Sequence, residues 1–227
     1  MARASLGFSP DGAHLSFIAG HSDPLFIFDN RLVGTADDLL GPAYDSAGAG
    51  VAWAVRDGLR WRLYARYPGR LIDRQPDEVP LSLLFSPDGR HLAATMRKPL
   101  GTTLVLLDDS IIAEHDAAKG LCFSADGSNL AWLEQVKGGW RVVSGGRTGA
   151  RYANAWFLTL SPDGKHYACV TGSRRGYSVV LDGEVVGRYD DLVSGFVFES
   201  AGELRFIARR RGRYLLVVTA VPAGPGN

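Results

Sequence analysis

Serine, aspartate and histidine recur at one spacing in this chain, as Ser9/Asp11/His14, Ser86/Asp88/His91 and Ser161/Asp163/His166. A hydroxyl, a carboxylate and an imidazole are the parts of a nucleophilic triad, in which the ring takes the hydroxyl proton and the acid orients the ring. Each trio here, however, is built on the phrase Ser-Pro-Asp-Gly. In that phrase proline presets φ at the second turn position and glycine takes the last, the chemistry of a type I turn. Ser and Asp beside such a turn hydrogen-bond the local backbone, and a histidine at the start of the following strand packs against it. The triad recurs because the turn recurs, and these residues are expected to be structural. The three histidines fall in different repeats, as do His21 and His115, so neither a zinc-like ligand cluster nor a cofactor is expected.

The turn marks a longer repeat. Phe8-Ser-Pro-Asp-Gly12, Phe85-Ser-Pro-Asp-Gly89, Phe123-Ser-Ala-Asp-Gly127 and Leu160-Ser-Pro-Asp-Gly164 are joined by degenerate copies at Tyr44-Asp-Ser-Ala-Gly48 and Phe198-Glu-Ser-Ala-Gly202. Their first residues are 36, 41, 38, 37 and 38 positions apart. The clearest copy has an apolar strand over 155–160, the turn, a strand from His166 and a loop at Gly172–Gly176. A third strand at Tyr177–Leu181, the pair Asp182-Gly183 and a fourth strand at Glu184–Tyr189 complete it. Four antiparallel strands per repeat, with no helical periodicity anywhere, predict an all-β chain. Six repeats of about 38 residues predict one β-propeller domain over residues 1–227, one repeat per blade.

The side chains expected to face inward are Leu15/Phe17, Val51/Trp53, Leu92/Ala94, Leu130/Trp132, Tyr167/Cys169 and Leu204/Phe206 on the second strands. On the third strands they are Phe26/Phe28, Trp61/Leu63, Leu104/Leu106, Trp140/Val142, Tyr177/Val179 and Tyr214/Leu216. After Tyr214–Thr219 the residues Ala220–Asn227 carry too much proline and glycine for a good fourth strand. Either the last blade is three-stranded, or the chain is part of a longer protein, or the exposed edge meets another chain.

Composition narrows the function classes. The 25 basic and 24 acidic side chains leave a net charge of +1, which argues against a nucleic-acid binder held by overall charge. Cys122 and Cys169 are too few for a disulfide framework and read as buried apolar side chains. No run of about 18 apolar residues suggests a membrane-spanning helix. The first repeat begins within seven residues of Met1, which leaves no room for a signal peptide. The chain as given is therefore expected in the cytoplasm, or in the periplasm or outside the cell if a leader was removed.

Charge sorts by loop class. Hairpins between second and third strands carry Arg56, Arg97, Lys98, Lys137, Arg174, Arg175, Arg209, Arg210 and Arg211, with Arg213 beside the last three. The connections between blades share that end and carry Asp37, Glu78, Asp116 and Asp191, each seven residues before a turn phrase. A basic face would recruit an acidic protein or peptide, and interleaved acids would partly cancel it beyond a Debye length.

The phrase Phe-Ser-Pro-Asp-Gly-x-His-Leu, with a Gly-Gly-Trp-Arg-Val-Val strand at Gly138–Val143, resembles the WD40-like repeats of TolB-type bacterial propellers. So does Val180-Leu-Asp-Gly-Glu-Val-Val-Gly-Arg-Tyr-Asp190. The resemblance implies a scaffold that binds proteins, and relatives of that kind occur beside peptidase domains. Gly-x-Ser-x-Gly is absent, so the catalytic half of a serine peptidase is missing. Segments expected near a central channel (Gly41–Ala43, Ser82–Leu84, Gly120–Cys122, Gly195–Val197) carry no charge. The expected function is a non-catalytic scaffold binding a protein, peptide or ligand through one face or the channel. The alternative is a carbohydrate hydrolase or lyase using Asp37, Glu78, Asp116 and Asp191.

Overall fold

The computed structural model describes residues 6–20, 25–35, 38–99, 101–173, 176–200 and 202–222. All regular structure among them is β-strand, and no helix is long and apolar enough to cross a membrane. The chain divides into two units, one ending at Glu114 and one beginning at His115.

The first unit holds three four-stranded antiparallel meanders. Blade one is β1 (Leu6–Phe8), β2 (Leu15–Ala19), β3 (Leu25–Phe28) and β4 (Arg31–Thr35). Blade two is β5 (Asp38–Tyr44), β6 (Val51–Asp57), β7 (Arg60–Tyr67) and β8 (Arg70–Arg74). Blade three is β9 (Val79–Phe85), β10 (Leu92–Arg97), β11 (Thr103–Leu107) and β12 (Ser110–His115). In the second unit, blade four is β13 (Ala118–Phe123), β14 (Leu130–Val136), β15 (Gly139–Ser144) and β16 (Arg147–Tyr152). Blade five is β17 (Ala155–Leu160), β18 (Tyr167–Ser173), β19 (Gly176–Leu181) and β20 (Glu184–Tyr189). Blade six is β21 (Asp191–Leu192), β22 (Val197–Ser200), β23 (Glu203–Arg210) and β24 (Arg213–Ala220).

Blade six departs from the pattern in a way the sequence anticipated. Segments β21 and β22 pair with the same side of β23, and β24 pairs with the other. They are one first strand broken in two, so the blade is three strands wide. The break has a local cause. The Ile207 carbonyl accepts from both Val193 N–H (2.9 Å) and Ser194 N–H (3.3 Å). The Ser194 hydroxyl in turn accepts from Ile207 N–H at 2.8 Å, so a side chain replaces a ladder partner.

The expectation of one inward and one outward face per strand needs correction. Alternate residues of β6 serve two cores. Val51, Trp53 and Val55 pack with Phe26 of blade one, whereas Ala52 and Ala54 pack with Phe85, Leu92, Leu104 and Leu106 of blade three. A sheet sandwiched between two others buries both faces, with large side chains on one and alanine on the other. In the second unit Leu133, Val142, Cys169 and Val180 join blades four and five, and Val179, Leu204 and Phe206 join blades five and six. A side chain of this size contributes roughly 1.5–3 kcal/mol when fully buried. The inward expectation fails outright at Tyr214 and Leu216, which are 70% and 69% exposed. They hold the third-strand positions of Tyr177 and Val179, which face the next blade, but among the described residues nothing covers them.

Candidate functional site

The recurrent Ser, Asp and His are held by two sets of bonds. In the turns, the hydroxyls of Ser86, Ser124 and Ser161 donate to Asp88, Asp126 and Asp163 at 2.5, 2.5 and 2.6 Å, and Ser9 donates likewise to Asp11. Each hydroxyl also accepts the backbone N–H five residues on, from His14, His91, Asn129 or His166, at 2.9–3.0 Å. Every turn closes from the glycine N–H to the serine carbonyl at 2.9 Å. All four serines are buried. The serine hydroxyls chiefly, with backbone N–H groups, hold the carboxyls of Asp11, Asp88, Asp126 and Asp163 below the usual range.

The histidines answer to different acids. His14, His91 and His166 place Nδ1 at 2.6 Å from Asp29, Asp108 and Asp182, which sit in the hairpins between third and fourth strands. The other oxygen of each carboxylate accepts the first strand N–H, from Leu15, Leu92 or Tyr167, at 2.9–3.0 Å. Burial would raise the Asp108 carboxyl, but bonds from His91, Leu92 and Tyr67 outweigh it and hold it low. The serine hydroxyl and the imidazole thus bind separate carboxylates, and no Ser–His relay forms. The sequence placed each histidine near its turn but missed the partner, whose signal is an aspartate 15, 17 or 16 residues later.

The turns also touch one another. A Cβ on Gly48 would collide with the Asp11 carboxylate, one on Gly89 with Asp45 and one on Gly164 with Asn129. In these three cases the glycine of one turn makes room for a side chain from the preceding blade's turn. Asp45 holds the serine position in the degenerate second repeat, and its Oδ1 has no hydrogen-bond partner.

Two further groups escaped the sequence reading. Glu134, 4% exposed, binds His115 Nδ1 at 2.6 Å and Arg141 Nε, while Trp132 Nε1 donates to His115 Nε2 at 3.2 Å. Both ring nitrogens are spent within the protein, which leaves none for a substrate. Phe157 lies in a bulge of β17 at φ +52° and is 64% exposed. The equivalent bulges of β5 and β13 use Gly41 (φ +96°) and Gly120 (φ +65°). A phenylalanine in this left-handed region is an outlier.

The charged set separates on inspection. Arg174, Arg175, Asp37 and His21 lie outside the described residues. Lys98 is paired with Glu114 at 2.8 Å. Arg209 reaches Asp191 at 3.8 Å, so the basic and acidic sets meet in blade six. Arg97, Lys137, Arg210 and Arg211 are exposed, with no acid at ion-pair distance among the described residues. Glu78 is half-buried and Asp116 exposed. Among the described residues no three His, Cys, Asp or Glu side chains group so as to hold a metal ion.

No family model and no curated protein matches this sequence. Among solved structures the chain is similar to the β-propeller domain of the Trilobed protease from Pyrococcus furiosus, at 14% identity over 98% of this chain and 86% of that one, with a TM-score of 0.53. It is similar to the Pyrococcus horikoshii acylaminoacyl peptidase at 13% identity, covering 99% of this chain and 46% of that one, with a TM-score of 0.51.

The fold is a β-propeller.

TolB from Acinetobacter baumannii is another neighbour, at 16% identity over 96% of this chain, with a TM-score of 0.47. The propeller spans 60% of that TolB chain and less than half of the acylaminoacyl peptidase. At these identities the likeness concerns the fold alone.

Proposed function

We propose that this propeller is a non-catalytic scaffold that binds an acidic protein or peptide through the hairpin ends of its blades, with the tip of blade six as the strongest contact. One observation carries the reading. The recurrent serines and histidines of the described turns are held in turn and hairpin hydrogen bonds, while guanidinium groups at the β23–β24 tip stand exposed. Arg209, Arg210, Arg211 and Arg213 outnumber the neighbouring Asp190 and Asp191 four to two. Asp191 faces Arg209, and Asp190 accepts the Gly212 N–H at 3.4 Å, so the outer arginines keep their charge for a partner. With a net charge of only +1, any anion affinity must come from such a local excess.

The test is titration with a polyglutamate peptide at low and moderate salt. Arg211→Glu/Arg213→Glu should weaken binding at least tenfold. Arg147→Glu, an exposed substitution on β16 that lowers net charge in the same sense, should change it little. Equal losses in both variants, or none in the double variant, would overturn the reading.

A further inference from the structure

Among the described residues the outer edge of β24 is an open sheet edge without the protection that the other outer strands carry. Strand β4 has Arg31 and a bulge opposite Phe26 and Ile27, and β8 has Arg70 and Asp73. Strand β12 has Glu114 and His115. Strand β16 has Arg147, Arg151 and a bulge, and β20 has Glu184, Arg188 and a bulge. Charges and bulges of this kind stop edges from recruiting further strands. From Tyr214 to Ala220, by contrast, β24 reads Tyr-Leu-Leu-Val-Val-Thr-Ala and pairs with β23 through eight residues with no register shift.

The ladder fixes which groups are free. Val221 N–H donates to Gly202 C=O at 2.9 Å, so Val221 points its backbone toward β23. In an antiparallel ladder without bulges that direction alternates, so Thr219, Val217 and Leu215 also point inward. Tyr214, Leu216, Val218 and Ala220 therefore direct N–H and C=O away from the sheet. Among the described residues no strand meets them.

The geometry points to a second copy of this chain as the occupant, with the two β24 strands antiparallel about a two-fold axis through Leu216 or Val217. In a two-fold antiparallel pair one residue lies opposite its own counterpart, in either a hydrogen-bonded or a non-hydrogen-bonded pair. Centring on Tyr214 or Leu215 would bring Arg210, Arg211 and Arg213 of the two copies toward one another. Centring on Val218 would bring Pro222, which has no N–H, opposite Tyr214. Centring on Leu216 sets Tyr214 opposite the second copy's Val218, Leu215 opposite Val217 and Arg213 opposite Thr219. Centring on Val217 sets Leu216 opposite Val218 and Tyr214 opposite Ala220. Six backbone hydrogen bonds form in the first register and eight in the second, the apolar residues pair across the seam, and the two arginine clusters lie on the order of 20 Å or more apart at opposite ends. A strand pair alone buries less than the roughly 800 Å² per partner of a standard interface, so the dimer should dissociate on dilution. This pairing does not depend on the function proposed for the arginine tip.

Light scattering from about 1 to about 100 µM tests the pairing, with mass expected to rise from monomer to dimer over the range. Val218→Pro removes an outward N–H and no bond to β23, and Leu216→Lys sets two ammonium groups at or beside the axis. Each should shift dimerisation more than tenfold to higher concentration while the circular dichroism spectrum is retained. Leu216→Cys and Val217→Cys test the register, since only the residue on the axis meets its own counterpart. Paired Cα atoms lie about 4.5–5.5 Å apart, within disulfide range, so mild oxidation should give a covalent dimer with one of the two. Leu215→Cys, opposite Val217 or Thr219 instead of itself, should give far less. Cys122 and Cys169 should not compete, since burial pushes both thiols up to about 12. A monomer throughout the range overturns the proposal, as does a dimer indifferent to Val218→Pro and Leu216→Lys or a Leu215→Cys crosslink as efficient as the better of Leu216→Cys and Val217→Cys.

Discussion

Phe157 is where a single side chain is most at odds with its backbone. Its φ of +52° costs an L-residue with a Cβ about 1–2 kcal/mol relative to a right-handed conformation, and Gly41 and Gly120 avoid that cost at the equivalent bulges. Because the ring is 64% exposed, deleting it forfeits little packing. Phe157→Gly should therefore raise stability by about 1 kcal/mol, read as a higher denaturant midpoint with an unchanged slope. A loss of stability would show that the ring holds β17 in place. The residue was invisible in the sequence because a lone phenylalanine in an apolar strand reads as core. Only the backbone angle and the exposure set it apart. The serines and turn aspartates were legible for the opposite reason: their partners lie within five residues, and local chemistry names them.

The hairpin between third and fourth strands is the element that ties a blade to its turn. At Asp108 one carboxylate gathers His91 Nδ1 at 2.6 Å, Leu92 N–H at 3.0 Å and the Tyr67 hydroxyl of blade two at 2.9 Å. Asp108→Ala leaves all three without that partner and should cost about 1–3 kcal/mol. Asp108→Asn keeps an acceptor for Leu92 and Tyr67 but loses the charge opposite His91, so its cost should fall between wild type and alanine. Chemical denaturation of the three proteins checks the order, and an asparagine variant as weak as the alanine one would shift the weight to the His91 bond. The pairing was not read from the sequence because it spans 17 residues and two turns, beyond the reach of local rules. Strand boundaries were legible, since glycine and proline punctuate them. Which face each strand buries was not, because Ala52 and Ala54 look like gaps in a pattern until a neighbouring blade fills the space they leave.

Over the whole molecule these local bonds add up to a pH dependence. Asp11, Asp88, Asp126 and Asp163 are held below their usual range chiefly by serine hydroxyls, Asp29 and Asp108 by histidine and backbone bonds that outweigh burial, Asp73 by Arg62 and Glu114 by Lys98. A carboxylate with a depressed folded-state pKa contributes stability that is present above its unfolded value, near 4, and is lost as pH falls through its folded value. The unfolded chain binds more protons in that window, so each such group gives stability a positive slope with pH, and groups spread over both units add their slopes. The carboxylate contribution should thus be level above about pH 5 and decline steeply below about pH 4. Replacing Asp88, Asp126 and Asp163 together by asparagine keeps an acceptor for each serine but removes the titration. That variant should be less stable than wild type at pH 7 and differ less from it at pH 3, with the two curves converging in acid. Denaturant midpoints measured from pH 3 to pH 7 would decide, since parallel curves would mean that the turn aspartates titrate alike in the folded and unfolded chain.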